Sequence, residues 1–248
     1  MDILNYFTIN VNSCYNNAMQ RLEQVFNIKI NDESLFKRAL THPSFTKENE
    51  DSFLNSYERL EFLGDSVLKL LTSDILFEMF PDFPEGKLSK IRSIVVSDMT
   101  LAKIFKSFKL EELLIIAKHE KKQGLSHNDT ICACSFEALL GAFYLEGRLC
   151  ELKTFLAEVL KPYIDDVNEN YINFNAKALL QEYTQGVNKQ LPVYTLLEEK
   201  GPAHKKVFTV QVSFNNEVCG TGSGSTKKEA EQNAATEACK KFNVEGKE

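Results

Sequence analysis

From Asn16 to Tyr163 the apolar residues recur at three- and four-residue spacing, as in Leu60, Leu63, Val67 and Leu71 or in Leu139, Leu140, Phe143 and Tyr144. That period predicts amphipathic and buried helices throughout, with polar breaks at Pro81 to Gly86 and at Lys121 to Thr130. The Asn-rich stretch KPYIDDVNENYINFN, Lys161 to Asn175, follows the last strong helical pattern and predicts a linker, assigned to 164–174. The rhythm then changes. A short helix near Ala176 to Gln185 precedes VYTLLEEK and KVFTVQVSF, in which Val207, Thr209 and Gln211 alternate with Phe208, Val210 and Val212 in strand fashion. Asn215 and Asn216 suit a hairpin turn into the short strand EVCGTG. Thr226 then stands in capping-box register with Glu229 ahead of a helix running to about Phe242. The prediction is an all-α domain over 16–163 and a small α-β-β-β-α domain over 175–243.

Composition adds constraints. The chain has 248 residues, 43% of them apolar, which allows one large or two modest globular domains. No apolar run approaches the roughly 18 residues a membrane span requires. The opening MDILNYFTINVNSCY lacks a basic region ahead of an apolar stretch, so a cytoplasmic protein with no membrane partner is expected. The six cysteines form neither a zinc pattern nor a disulfide framework and are expected to be reduced thiols. The net charge of -6 argues against a simple phosphate binder, yet it is unevenly spread: residues 1–172 carry -7 and residues 173–248 carry +1. An acidic first domain suits nucleic acid only where carboxylates hold metal ions that meet the phosphate themselves.

The segment YERLEFLGDSVLKL contains such carboxylates. Glu58, Glu61 and Asp65 are spaced by three and four residues, which aligns them along one stripe of a helix. By itself the stripe is most simply a solvated acidic face, since like charges at that spacing cost a few tenths of a kcal/mol per pair. Here it adjoins the core positions Leu60 and Leu63. Gly64 stands beside Asp65 in mid-helix despite costing about 1 kcal/mol relative to Ala, which suggests close approach by another element or ligand.

ERLEFLGDS (Glu58 to Ser66) resembles the hallmark run of the ribonuclease III family residue by residue. The resemblance extends through ALTHPSF (Ala39 to Phe45), PEGKLSKIRS (Pro84 to Ser93) and FEALLGAFYLEG (Phe136 to Gly147), and covers all but about the first 15 residues. It implies an RNA-processing endoribonuclease that cleaves double-stranded RNA by metal-assisted hydrolysis to 5′-phosphate and 3′-hydroxyl ends. It further implies a homodimer formed through the nuclease domain, each subunit cutting one strand. By position, Glu61 and Glu137 are metal ligands, Asp65 and Glu137 lie at the catalytic centre, and Glu58 belongs to the same cluster. Mg²⁺ is the expected ion, because hard carboxylate oxygens suit it and it keeps several waters. Phe62 is either a dimer-interface residue or an ordinary core aromatic. His42 is read as a capped-turn or packing residue, since metal-bound water needs no histidine base.

One position departs from the pattern. ICACSFE (Ile131 to Glu137) places Cys134 where the family has a metal-binding Asp, and a thiol is a soft ligand poorly matched to Mg²⁺. Three outcomes stay open: cleavage by Glu61, Asp65 and Glu137 with added waters, preference for Mn²⁺ or another softer ion, or a non-cleaving dimer that binds duplex RNA.

The second domain, with GPAH (Gly201 to His204) between its first two strands and STKKEAEQNAA (Ser225 to Ala235) at its last helix, resembles a double-stranded-RNA-binding domain. Lys227 and Lys228 sit at a helix start, where free N–H groups and the dipole favour phosphate. By family position Gln181 and Glu182 would meet one minor groove and His204 the next, reading A-form shape instead of base sequence.

Overall fold

The computed structural model describes residues 18–202 and 205–244. The chain divides into two compact units, Met1–Ile164 and Asp165–Glu248. The first is helical: α1 (18–26), α2 (Glu33–Ala39), α3 (Pro43–Glu48), α4 (Glu58–Met79), α5 (Glu85–Val95), α6 (Asp98–Ser107), α7 (Lys118–Lys122), α8 (Asp129–Leu145) and α9 (Leu149–Glu169).

Helix α8 is the axis of this unit because its sequence is apolar nearly all round, which only a buried helix tolerates. Ile131, Cys132, Phe136, Leu139, Leu140 and Phe143 are all buried. Its start is fixed by Asn128, whose side chain accepts from the Ile131 N–H at 3.2 Å. Phe26 lies tilted against Phe143 and Phe36 meets it edge-on, with ring centroids 4.8 and 4.5 Å apart, and Phe155 lies 4.4 Å from Phe26. Each such ring contributes about 1.5–3 kcal/mol by leaving water. Helices α2, α4 and α6 pack around α8.

The contact between α4 and α8 is the closest of these, and glycines make it possible. A Cβ on Gly64 would stand 1.7 Å from the Glu137 carbonyl oxygen, and one on Gly141 would stand 2.4 Å from the Leu60 carbonyl oxygen. The two helices run in opposite senses where they touch, since Gly64 meets Glu137 and Leu60 meets Gly141. The mid-helix glycine that looked costly in the sequence is therefore a backbone-to-backbone contact point.

The second unit contains α10 (Tyr171–Asn188), β1 (Val193–Lys200), β2 (Val207–Phe214), β3 (Glu217–Gly224) and α11 (Lys227–Lys241). The strands form an antiparallel meander in the order β1-β2-β3. Asn215 and Asn216 turn between β2 and β3 with φ of 54° and 63°, the left-handed pair a tight hairpin needs. The inward-facing Val212 and Phe214 join Leu180, Ala234, Ala235 and Ala238 in one core.

The stretch expected as a linker is helical, and the boundary between the two compact units falls at its start, between Ile164 and Asp165. Helix α9 continues to Glu169 and α10 begins at Tyr171, with Asn170 between them. The helix expected near Ala176 to Gln185 is thus longer at both ends. Tertiary burial explains it: Tyr171 and Asn175 are buried one turn apart, and the Asn175 amide donates to the Tyr171 hydroxyl at 3.1 Å. That overrides the weak helix propensity of asparagine.

Candidate functional site

Helix α4 opens without a side-chain cap, so its first turn is anchored from outside. The Tyr57 N–H donates to the Thr41 carbonyl at 2.9 Å, and the Tyr57 carbonyl accepts from Leu60 and Glu61. Thr41 precedes His42, which caps α3 through Nδ1, accepting from the Ser44 N–H at 3.1 Å. The His42 ring meets the Tyr57 ring edge-on at 5.6 Å. His42 is therefore a capping and packing residue, and burial holds it below the usual imidazole range against the opposing charges of Glu120 and Glu58.

From this anchored start, Glu61 and Asp65 follow along α4, rising about 4.5 and 6 Å at successive steps from Glu58. Both are half-buried, as are Cys134 and Glu137 on α8, whereas Glu58 is exposed. Burial comes first and the carboxylates of Asp65, Glu61 and Asp98 next in pushing Glu137 up to about 8, with the Lys69 ammonium opposing them. The Asp65 carboxylate accepts from Lys69 Nζ at 2.8 Å. Burial, followed by the adjacent Glu61 carboxylate and the fields of Glu137 and Asp98, pushes the Cys134 thiol up to about 12. Cys134 is thus a neutral thiol beside the acids at neutral pH.

The structure brings Glu61, Asp65, Cys134 and Glu137 into one electrostatically coupled group. Glu58 sits at its margin, accepting from the Ser56 hydroxyl at 3.4 Å and acting on Tyr57 and His42. Among the described residues no three His, Cys, Asp or Glu side chains are gathered closely enough to hold a metal ion as they stand. The donor chemistry nevertheless fits a hard divalent cation. Burial first and the charges of Asp65 and Glu61 next hold Glu137 far above an ordinary carboxylate, and a cation would relieve the repulsion among the three acids. Protonated Cys134 does not fit as a donor to such an ion.

Three residues around the group escaped the sequence reading. Lys69, four residues after Asp65, could have been found from spacing alone. Tyr57, four residues before Glu61, is buried at 6% exposure, and its hydroxyl is held above the usual range by burial and then by Cys134, Glu61 and Glu58. Asp98 begins α6 and is brought near by tertiary packing, for which no local signal exists.

In the second unit, Gln181 and Glu182 are exposed on α10, and Lys227 and Lys228 are exposed at the start of α11. Thr226 caps that helix, accepting from the Glu229 N–H at 3.1 Å, while the Glu229 carboxylate accepts from the Ser225 N–H at 2.8 Å. The reciprocal cap keeps the helix terminus, and the two lysines it carries, fixed. His204 lies outside the described residues.

A family profile described as ribonuclease-III-like matches residues 32–164, and one described as double-stranded RNA binding motif matches residues 176–242. Ribonuclease 3 of Pelotomaculum thermopropionicum is 41% identical over 213 residues, spanning 86% of this chain and 88% of that protein. Ribonuclease 3 of Staphylococcus saprophyticus is 36% identical over 227 residues, spanning 91% and 92%. The solved nuclease domain of ribonuclease III from Campylobacter jejuni, described for the flexibility of its dimer-forming region, is 34% identical. It covers 58% of this chain and 97% of its own, with a TM-score of 0.53.

Proposed function

Because the chain belongs to the ribonuclease III family and is a double-stranded-RNA endoribonuclease, we propose that Glu61, Asp65 and Glu137 form its metal-binding catalytic group. Cys134 contributes bulk there and no charge. What carries this reading is Glu137, which lies at the glycine contact between α4 and α8 and is held well above an ordinary carboxylate, first by burial and then by the charges of Asp65 and Glu61. The non-cleaving alternative draws no support from the relatives. The family is metal-dependent, and Mg²⁺ is the proposed ion, with Mn²⁺ able to replace it. A bound divalent ion supplies an activated water and charge stabilisation at the departing oxygen. Glu137, held up to about 8 by burial and then by its acidic neighbours, would have to be deprotonated to hold the ion, so affinity is expected to rise with pH toward about 8. Glu61 and Asp65 would hold the ion from helix α4. Tyr57 and its Thr41 anchor fix the helix start from which Glu61 projects. The products proposed are 5′-phosphate and 3′-hydroxyl ends.

Homodimerisation through the nuclease domain is proposed from the surface of α4. Phe62, Leu70 and Phe77 are 79%, 58% and 71% exposed and fall along one stripe of that helix. A stripe of that size on a lone subunit supports an interaction surface, and Phe62, exposed on it, is no core residue of its own chain. Among the described residues no helix is long and apolar enough to cross a membrane. A cytoplasmic location is proposed, in keeping with free Cys132, Cys134, Cys150, Cys219 and Cys239.

The test uses the full chain and a labelled long duplex RNA. Cleavage is expected in Mg²⁺ and in Mn²⁺ and none in EDTA. Cys134→Asp should raise the rate in Mg²⁺ by about tenfold, the low end of effects seen when a metal site's surroundings are altered. Absence of cleavage by the native chain in both ions, with cleavage restored by the aspartate, would show that the cysteine has disabled the centre.

In the second unit, Lys227 and Lys228 are proposed to meet duplex phosphates across the major groove, with Gln181, Glu182 and His204 facing the minor grooves. Replacing both lysines by alanine should weaken binding evenly across sequences. It should also reduce the slope of log K against log salt by about one per lost contact. Titrations at several salt concentrations read this directly, and an unaltered slope would remove the lysines from the interface.

A further inference from the structure

Lys69 is a cation already present in the acidic group. It stands one turn beyond Asp65 on α4, and its ammonium lies 2.8 Å from Asp65 Oδ2. Acid preceding base by four residues is the favoured order for such a pair. Its influence does not stop at its own helix. It is the positive charge that reaches Glu137 on α8, opposing Asp65, Glu61 and Asp98. Both partners of the ion pair are open to solvent, with Lys69 54% and Asp65 38% exposed, so the ammonium can swing away without uncovering any core. Glu61 faces the neutral Cys134 thiol. Two of the acids therefore already have a local partner, Asp65 an ammonium and Glu61 a thiol.

Resting on the proposed metal-binding role of this group, we infer that Lys69 competes with the divalent cation for Asp65 and so sets the metal concentration at which the centre loads. A metal ion and an ammonium cannot share the same carboxylate oxygen at full strength. Loading must break the ion pair and then place two positive charges within a few ångströms of each other unless Lys69 turns outward. Removing the ammonium frees the oxygen and removes that repulsion, so the site should bind its cation more tightly. A surface ion pair that served only to stabilise α4 would leave cation affinity unchanged. The loss of the carboxylate at position 134 and the presence of this lysine act in the same direction, since both make the centre less negative toward an arriving ion.

The experiment measures Mn²⁺ binding to the full chain without RNA, counting free Mn²⁺ by electron paramagnetic resonance. Glu137→Gln defines the background of unrelated sites. Lys69→Gln is expected to lower the Kd about fivefold, or about 1 kcal/mol at 1.4 kcal/mol per tenfold, which is the upper range for an exposed pair. Lys69→Arg, which keeps the charge, should bind as the native chain does. Lys69→Gln in the Cys134→Asp background should again tighten binding. An unchanged or weaker Kd for Lys69→Gln, while Cys134→Asp binds more tightly than the native chain, overturns the competition and leaves the metal site standing. If neither the native chain nor Cys134→Asp binds Mn²⁺ above the Glu137→Gln background, the metal-site assignment itself falls, and the inference with it.

Discussion

Gly64→Ala is expected to destabilise the first unit by about 3 kcal/mol, the top of the usual range for overpacking, and to abolish most cleavage with it. The added methyl would lie 1.7 Å from the Glu137 carbonyl oxygen and 2.5 Å from its carbon. These are backbone atoms inside a helix, so no side chain can rotate out of the way. Relief requires α4 and α8 to separate, and the separation displaces Glu137 from Glu61 and Asp65 in the same movement. The gain of about 1 kcal/mol from replacing a mid-helix glycine by alanine is too small to offset this. Urea unfolding followed by circular dichroism, with duplex cleavage measured in parallel, tests both parts. A midpoint equal to the native one would mean that the helices are not in backbone contact.

The second large effect belongs to Glu137→Gln. Cleavage of duplex RNA should fall at least a hundredfold, the scale on which loss of one preorganised electrostatic group is felt. Duplex binding measured by filter retention should be intact, because the RNA-binding residues proposed here lie in the other unit. The same variant should also alter stability in a pH-dependent manner. Burial and the charges of Asp65 and Glu61 raise Glu137 from 4.5 to about 8 in the folded chain. Between those values the folded state keeps a proton that the unfolded state has released, so this residue's contribution to stability falls as pH rises from about 4.5 to 8. Glutamine has no proton to lose. Thermal unfolding in EDTA should therefore show variant and native chain alike near pH 5 and the variant more stable near pH 8 to 9. A constant difference across that range would place Glu137 away from its acidic neighbours.

Much of this site could be read from local spacing. Glu58, Glu61 and Asp65 share a stripe because a helix repeats every 3.6 residues, and Gly64 signalled a close neighbour because it weakens the helix that contains it. The identity of that neighbour could not be read. The partner of Gly64 is the carbonyl of Glu137, and only the resemblance of FEALLGAFYLEG to a known motif pointed there. Asp98 shows the limit plainly, since its charge matters to Glu137 and Cys134 through the packing of α6 on α8. In the second unit, the alternation of β2, the Asn215-Asn216 turn and the Thr226 cap are all local devices, and the structure contains each of them. Composition marked the Asn-rich stretch after Lys161 as a linker, but its helical conformation follows from burial of Tyr171, Asn175 and Ala176, which no local signal showed.

The glycine contact joins positions far apart along the chain, with Gly64 on α4 and Glu137 on α8. In the unfolded polypeptide their acids are too distant to repel one another, so the repulsion arises only when the two helices dock. A divalent ion held as proposed at the docked acids, and not by the unfolded chain, would act as a ligand of folding. By mass action it would add to the stability of the native state in proportion to the logarithm of its concentration above Kd.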